Sequence, residues 1–162
     1  MNKKIVTAHE ARAIAREMSE RGRKLVFTNG CFDLLHLGHV RYLAAARALG
    51  DALLVAINGD ESVRALKGEG RPLNREADRA EVIAALASVD YVVVFPEVRA
   101  TALLEKIQPA IYVKGGDYTA ESLHAEERSA LERMGTEIRI VPFEAGHSTS
   151  RLLGTMTKLA GK

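Results

Sequence analysis

The chain reads as a single doubly wound α/β domain built on a parallel sheet and spanning residues 1–162. Three observations lead there. Apolar runs of about five residues alternate with segments of about ten residues that carry helical spacing. Several of the short runs, such as Leu53-Leu54-Val55-Ala56-Ile57 and Tyr91-Val92-Val93-Val94-Phe95, are apolar without alternation, as strands covered on both faces are. No repeat, low-complexity stretch or linker divides the 162 residues, a length that suits one domain.

A first helix is expected over residues 8–20, where Ala11, Ile14, Ala15 and Met18 share a face and Gly22 follows as a stop. Residues 24–28 read as a short buried strand, 40–49 as a helix ending at Gly50, and 52–57 as a second strand. Asn58-Gly59-Asp60 breaks that strand and caps a short helix through Leu66. Residues 67–72 form a mobile loop, loosened by Gly68 and Gly70 and closed by Pro72. Asn74 is the expected N-cap of a helix running to Ala87. Strands at 91–95, 110–114 and 137–141 then alternate with helices at 101–107 and 123–134, and a last helix covers 150–159. In such folds ligands bind beyond the C-terminal ends of the strands, so the residues that follow each strand are the ones to read for chemistry.

Composition narrows the function. At 47% hydrophobic and 27% charged, the chain is neither collagenous nor disordered. Lys and Arg total 23 against 21 Asp and Glu, a balance of +2 that excludes a protein whose main task is coating a nucleic acid. Cys31 is the sole cysteine, so an intramolecular disulfide is excluded and a reducing compartment fits. His9, Glu10 and Arg12 follow the basic start too soon for a signal peptide. No apolar run approaches the roughly 20 residues of a membrane span. The expectation is a soluble, cytoplasmic protein with neither nucleic acid nor membrane as partner.

The first strand leads into Thr28-Asn29-Gly30-Cys31-Phe32-Asp33-Leu34-Leu35-His36-Leu37-Gly38-His39. His36 and His39 stand at i and i+3, on one side of the first turn of a helix. Gly38 leaves room between them for a ligand to reach the backbone. A helix N-terminus adds N–H groups and partial positive charge, which suits phosphate. Helix capping or packing is the plainer explanation of two nearby histidines.

The whole twelve-residue stretch resembles the first signature of the HxGH nucleotidyltransferase superfamily, whose fold is a Rossmann-like sheet. Residues 66–74, 85–92 and 113–118 look like one branch of it, the adenylyltransferases acting on D-glycero-β-D-manno-heptose 1-phosphate. The resemblance runs from about Leu25 to Ser150, and with no kinase sequence alongside it the chain looks like a stand-alone transferase. It implies that the sugar phosphate attacks the α-phosphate of ATP in line, with Mg²⁺ carried mainly by the ATP phosphates, giving ADP-heptose for the lipopolysaccharide core.

It also implies roles for particular residues. His36 and His39 would hold the triphosphate and stabilise the transition state, with Lys67 as a further catalytic cation. Asn29, Gly30, Cys31 and Phe32 would supply turn backbone around the nucleotide, Thr28 would line the same mouth, and Gly38 would belong to that site. Lys67 and Arg71 would close over phosphates, unless they simply occupy a solvated loop. Lys114, Gly115 and Gly116 follow the fourth strand at the ligand edge. Asp117 would either bind a hydroxyl or cap a turn. Arg79, within a helix, has a salt bridge as its default explanation and a phosphate-side role through the family. Gly146-His147-Ser148-Thr149-Ser150 matches the second superfamily signature, so Ser148, Thr149 and Ser150 would meet the β- and γ-phosphates or cap the helix. His147 is a departure, since the bifunctional relatives often have another small or polar residue there. Asp33, Asn58 and Asp60 are polar groups at strand ends where sugar hydroxyls would bind, although Asp60 also suits a helix cap. Cys31, His36, His39 and His147 can be assembled into a transition-metal site, but their spacing matches no standard structural zinc pattern, and no protein-bound metal is expected. The family makes a homodimer the expected oligomer. Two alternatives stay open: a cytidylyltransferase acting on glycerol 3-phosphate or a related alcohol phosphate, and a non-catalytic nucleotide-binding module.

Overall fold

The computed structural model describes residues 2–116, 119–142 and 146–161. Five strands, β1 (Leu25–Gly30), β2 (Ala52–Asn58), β3 (Tyr91–Phe95), β4 (Ile111–Gly115) and β5 (Glu137–Val141), form one parallel sheet in the order β3-β2-β1-β4-β5. The chain builds outward from β1 through β2 to β3, then crosses back to place β4 on the other side of β1. That reversal opens a crevice between the C-terminal ends of β1 and β4.

Among the described residues, seven α-helices cover the sheet: α1 (Ala8–Glu20), α2 (Leu37–Arg47), α3 (Asp60–Lys67), α4 (Glu76–Ala84), α5 (Thr101–Ile107), α6 (Ala125–Met134) and α7 (Thr149–Ala160). Strand alternation divides the core in two. Phe27, Leu54, Val93 and Tyr112 pack with α1, α5 and α6 side chains such as Ala15, Leu104 and Leu131. Val26, Leu53, Val55, Val92 and Val113 pack on the other face against Leu43 and Ala46 of α2 and Ile83 of α4. Each large aliphatic side chain so buried is worth about 1.5–3 kcal/mol. Burial on both faces is the reason the strands are apolar without a break.

The expected elements are present, and their ends move where side chains compete with the backbone. Asn74 does not cap α4. Its amide donates to the Asp33 carbonyl at 2.7 Å and its N–H to Asp33 Oδ1, so the cap falls to Arg75. The helix after β1 starts at Leu37, three residues earlier than its apolar pattern, because His36 takes the cap position in an extended conformation. Residues 120–122 form a short 3₁₀ turn ahead of α6, which therefore starts at Ala125. Near the N-terminus, the Val6 N–H donates to Val92 O and the Val92 N–H to Lys4 O, both at 2.8 Å. This pairing against the β3 edge had no sequence signal strong enough to name it.

Candidate functional site

A cavity of about 510 Å³ opens at the crevice between β1 and β4. Asn29 and Gly30 at the end of β1, with Cys31, Phe32 and Asp33 beyond it, make its floor. His39 of α2 and Thr149 and Ser150 of α7 form one wall; Lys114 and Gly115 end β4 beside them. Asn58 at the end of β2, with Lys67 and Arg71, lies across the opening. Thirteen of the residues expected from sequence therefore meet at one place.

The floor is a tight, strained turn. Phe32 adopts φ +47°, a conformation an L-residue with a bulky side chain rarely takes outside a constrained site. Its buried ring lies over Gly30, where a Cβ would come within 2.9 Å of the ring, and 5.4 Å from the His39 ring. Gly30 is thus required by Phe32.

The two histidines stack, with ring centroids 3.8 Å apart. The His36 N–H donates to His39 Nδ1 over a long 3.4 Å. With Nδ1 accepting, the neutral His39 ring carries its proton on Nε2, as a donor. Burial, and then His36, push His39 down to about 4, so it is neutral at pH 7. Burial followed by the neighbouring His147 lowers His36 in the same direction. An unfolded histidine titrates near 6.5. The depressed folded values therefore mean that the unfolded chain takes up protons first as pH falls below that point. Their contribution to stability is complete above about pH 6.5 and is lost as pH falls below it, for His39 progressively toward pH 4. Denaturant midpoints at pH 7 and pH 5 are expected to differ more in the wild type than in His39→Gln; equal differences would contradict the assignment.

Gly38 also makes room for its neighbouring side chains. A Cβ there would fall 2.9 Å from the His36 ring and 3.2 Å from the Cβ of His147, so its absence lets the imidazoles close up. His36 and Gly38 are not among the residues that line the cavity. Thr28 is also outside it: fully buried, its Oγ1 lies 2.7 Å from the Tyr42 hydroxyl, which donates to Val113 O. Gly116 donates its N–H to Val141 O and Ser148 caps α7 by accepting from the Arg151 N–H, so neither lines the cavity. Thr149 Oγ1 donates to Leu34 O at 3.2 Å, tying the start of α7 to the turn before α2. Asp117 lies outside the described residues.

Two buried ionic groups hold the cavity in shape. The Asp33 carboxylate, 1% exposed, accepts from Arg71 Nε at 2.8 Å and from the Leu73 and Asn74 amides at 2.9 Å. Burial pushes its pKa up, but these two amides and the Arg71 guanidinium outweigh it and hold the carboxyl below the usual range. Arg79 is 2% exposed and donates to Cys31 O, Asn74 O and Asp60 Oδ1 at 2.7–3.0 Å. The salt bridge is thus real, and it braces the turn, the loop end and α3 together. Asp33 and Asp60 are consequently engaged by arginines, and Asp60 is neither the cap of α3, which is Gly59, nor part of the lining. Arg79→Ala is expected to cost on the order of 3 kcal/mol, because it leaves a carboxylate and two carbonyls without their donor. Urea denaturation measures this; a change below 1 kcal/mol would contradict the brace.

The Cys31 thiol is pushed up by burial, against the downward pull of Lys67, Arg79 and Arg71, so it remains a thiol at neutral pH. Among the described residues no three His, Cys, Asp or Glu side chains group as a metal site. The imidazoles of His36, His39 and His147 stack instead of converging.

Sequence reasoning missed Tyr42, Leu66, Val98, Arg99, Ala100 and Glu127 in the lining. Val98, Arg99 and Ala100 follow β3, so applying the strand-end rule there too would have found them. Glu127 accepts from Tyr112 Oη at 2.8 Å, a contact made by tertiary packing with no local signature.

A family model described as cytidylyltransferase-like matches residues 27–157. Two curated relatives, each named bifunctional protein HldE, are 53% identical over 143 residues (Citrifermentans bemidjiense) and 48% over 142 (Geobacter metallireducens). Each match covers 88% of this chain and 29% of the relative, so the chain spans under a third of their length. A solved structure described as a lipopolysaccharide core biosynthesis protein from Thermoplasma volcanium is 30% identical, with a TM-score of 0.63 over 76% of this chain and 98% of that one. A pantoate-β-alanine ligase from Francisella tularensis, 15% identical with a TM-score of 0.57 over 90% of this chain and 68% of that one, shares the fold. The matched segment takes in both histidines and the start of α7, and with them every wall of the cavity: this chain belongs to the cytidylyltransferase-like family of nucleotidyltransferases.

Proposed function

We propose that the cavity transfers AMP from ATP to D-glycero-β-D-manno-heptose 1-phosphate, releasing ADP-heptose and pyrophosphate for lipopolysaccharide core synthesis. The observation that carries this reading is the convergence of His39, the α7 start, Lys114, Lys67 and Arg71 on one cavity, in a chain 53% identical to an HldE protein. The heptose branch rests on the motif resemblance and on those relatives.

The chemistry needs little from the protein beyond placement. An oxygen of the sugar phosphate, already ionised at neutral pH, forms a bond to the α-phosphorus, while the bond from that phosphorus to the bridging β-oxygen breaks. The electron pair leaves with pyrophosphate, and no proton has to be removed. Catalysis then comes from alignment and from donors aimed at developing charge. His39 Nε2–H donates to the phosphates, the α7 start adds hydroxyls and partial positive charge, and Lys67, Arg71 and Lys114 neutralise the two anions. Asp33 and Arg79 hold the turn and the loop in register.

Mg²⁺ enters as part of the nucleotide substrate. The cavity carboxylates Asp33 and Glu127 are held by protein donors, so the groups facing the triphosphate are cations and hydrogen-bond donors. Among the described residues no helix is long and apolar enough to cross a membrane.

Pyrophosphate release tests the reading, with ATP, CTP and GTP crossed against β-heptose 1-phosphate, α-heptose 1-phosphate and glycerol 3-phosphate. Release with ATP and the β-heptose substrate alone is expected. Release with CTP and glycerol 3-phosphate would move the chain to another branch, and silence from folded, ATP-binding protein would make it a binding module.

A further inference from the structure

We infer that Arg99 reads the sugar of the acceptor: its guanidinium donates to the hydroxyls farthest from the acceptor's phosphate, and so sets which sugar phosphate the cavity prefers. This rests on the functional reading above, which puts the reacting phosphates beside His39 and the α7 start.

Arg99 follows β3 and is exposed in the cavity lining at that edge of the sheet. The order β3-β2-β1 leaves two strand spacings, about 10 Å, between the end of β3 and the end of β1. An acceptor whose phosphate oxygen attacks at the β1–β4 crevice has the rest of the cavity for its sugar, over β2 and toward β3. The far end of a seven-carbon sugar then comes to the segment that carries Arg99.

The backbone of that segment is tied down. Where β3 ends, the Gly59 N–H donates to Phe95 O at 2.8 Å. Buried Asn58 donates from Nδ2 to Ser62 Oγ at 2.8 Å and, over 3.3 and 3.4 Å, to the Glu97 and Val98 carbonyls. Ser62 Oγ donates in turn to Glu97 O at 2.9 Å, and Ala100 is buried on the other side of Arg99. Asn58, expected to meet a sugar hydroxyl itself, thus spends its amide hydrogens on the link that presents Arg99.

The surroundings suit a sugar. Leu66 stands four residues after Ser62 on the same face of α3, which turns it toward the 96–100 link. Leu66 and Val98 are both exposed apolar side chains of the cavity lining. The C–H faces of a sugar pack on such groups while its hydroxyls need a few well-placed polar partners. A guanidinium supplies them, because its planar fork of N–H donors spans neighbouring hydroxyls. The lining carboxylates Asp33 and Glu127 accept from Arg71 and Tyr112. Among the described residues no carboxylate is hydrogen-bonded or ion-paired to Arg99, so its donors face the cavity without an internal competitor.

The test compares two acceptors that differ at that far end. Pyrophosphate release by the full chain with Mg·ATP gives the KM for β-heptose 1-phosphate. Competition in the same assay gives the Ki of β-mannose 1-phosphate, which lacks the seventh carbon and its hydroxyl. Arg99→Ala is expected to raise the heptose KM about tenfold and the mannose Ki less than twofold, with the KM for ATP within twofold of wild type. Arg99→Lys, which keeps the charge but loses the fork, is expected to recover only part of the loss. Thermal melts of both variants are expected to superimpose on wild type, since the side chain is exposed. An unchanged heptose KM in Arg99→Ala would overturn the role of Arg99 and leave the functional reading standing. Heptose KM and mannose Ki rising together would do the same, by placing the guanidinium on the shared part of the two acceptors. A wild type that releases no pyrophosphate with β-heptose 1-phosphate would overturn the functional reading and this inference with it.

Discussion

His39→Ala is expected to lower kcat by about 10²-fold or more, with the fold intact and a smaller change in KM for ATP. The geometry gives the reason. His39 Nδ1 is occupied by the His36 N–H, which leaves Nε2–H as a fixed donor in the cavity wall. Burial keeps the ring neutral, so the donor is present across the working pH range without a proton having to be gained first. A donor aligned before the reaction needs no reorganisation as charge builds on the phosphates, and its loss falls on the transition state more than on the bound nucleotide. The ring packs 5.4 Å from Phe32, so Ala leaves a small defect at the turn but no unpaired buried charge. Steady-state kinetics with a circular dichroism control measures this. Unchanged turnover in folded His39→Ala would remove the catalytic role.

Asp33→Ala is expected to damage both stability and activity, for a different reason. The carboxylate is the anchor at which the 67–74 loop meets the β1 turn, and its removal leaves the Arg71 guanidinium and the Leu73 and Asn74 amides without their acceptor. A loss of about 3–5 kcal/mol follows from breaking one side of a buried charged network. Arg71 and Lys67 would lose their position at the cavity, so on the proposed function the KM for the sugar phosphate should rise at least tenfold. Asp33→Asn separates the contributions, since it keeps one acceptor oxygen but loses the charge. The folded carboxyl lies below its unfolded value near 3.9, so its stabilisation is complete above that pH and is lost as pH falls through the folded pKa. Acid denaturation should therefore be less steep in Asp33→Asn than in wild type. An unaffected KM in Asp33→Ala would show that the loop does not carry substrate contacts.

Much of this architecture was legible from local pattern. Strands such as β3 and β5 and helices such as α1 and α5 fall at the residues their apolar spacing indicates, because their core faces follow a simple period. The turn after β1 and the start of α7 were legible as motifs, and the fold brings them within one hydrogen bond of each other. What the sequence hid was the use of polar side chains across long separations. Asp33, expected to meet a sugar hydroxyl, instead holds residues about forty positions away. Thr28, expected at the mouth, turns inward to Tyr42. Glu127 reaches the cavity from a segment with no motif of its own. Local periodicity reports which face is apolar; it does not report which carboxylate a distant arginine will find.

The most direct test of the account follows the phosphorus atoms. Protein, Mg·ATP and β-heptose 1-phosphate are incubated and the mixture is observed by ³¹P NMR. The account predicts free pyrophosphate together with the paired doublets of a nucleoside diphosphate sugar, since the sugar phosphate attacks the α-phosphorus. ADP appearing with a sugar bisphosphate would place the attack at the γ-phosphorus and contradict it, as would an unchanged spectrum from folded protein that binds both substrates.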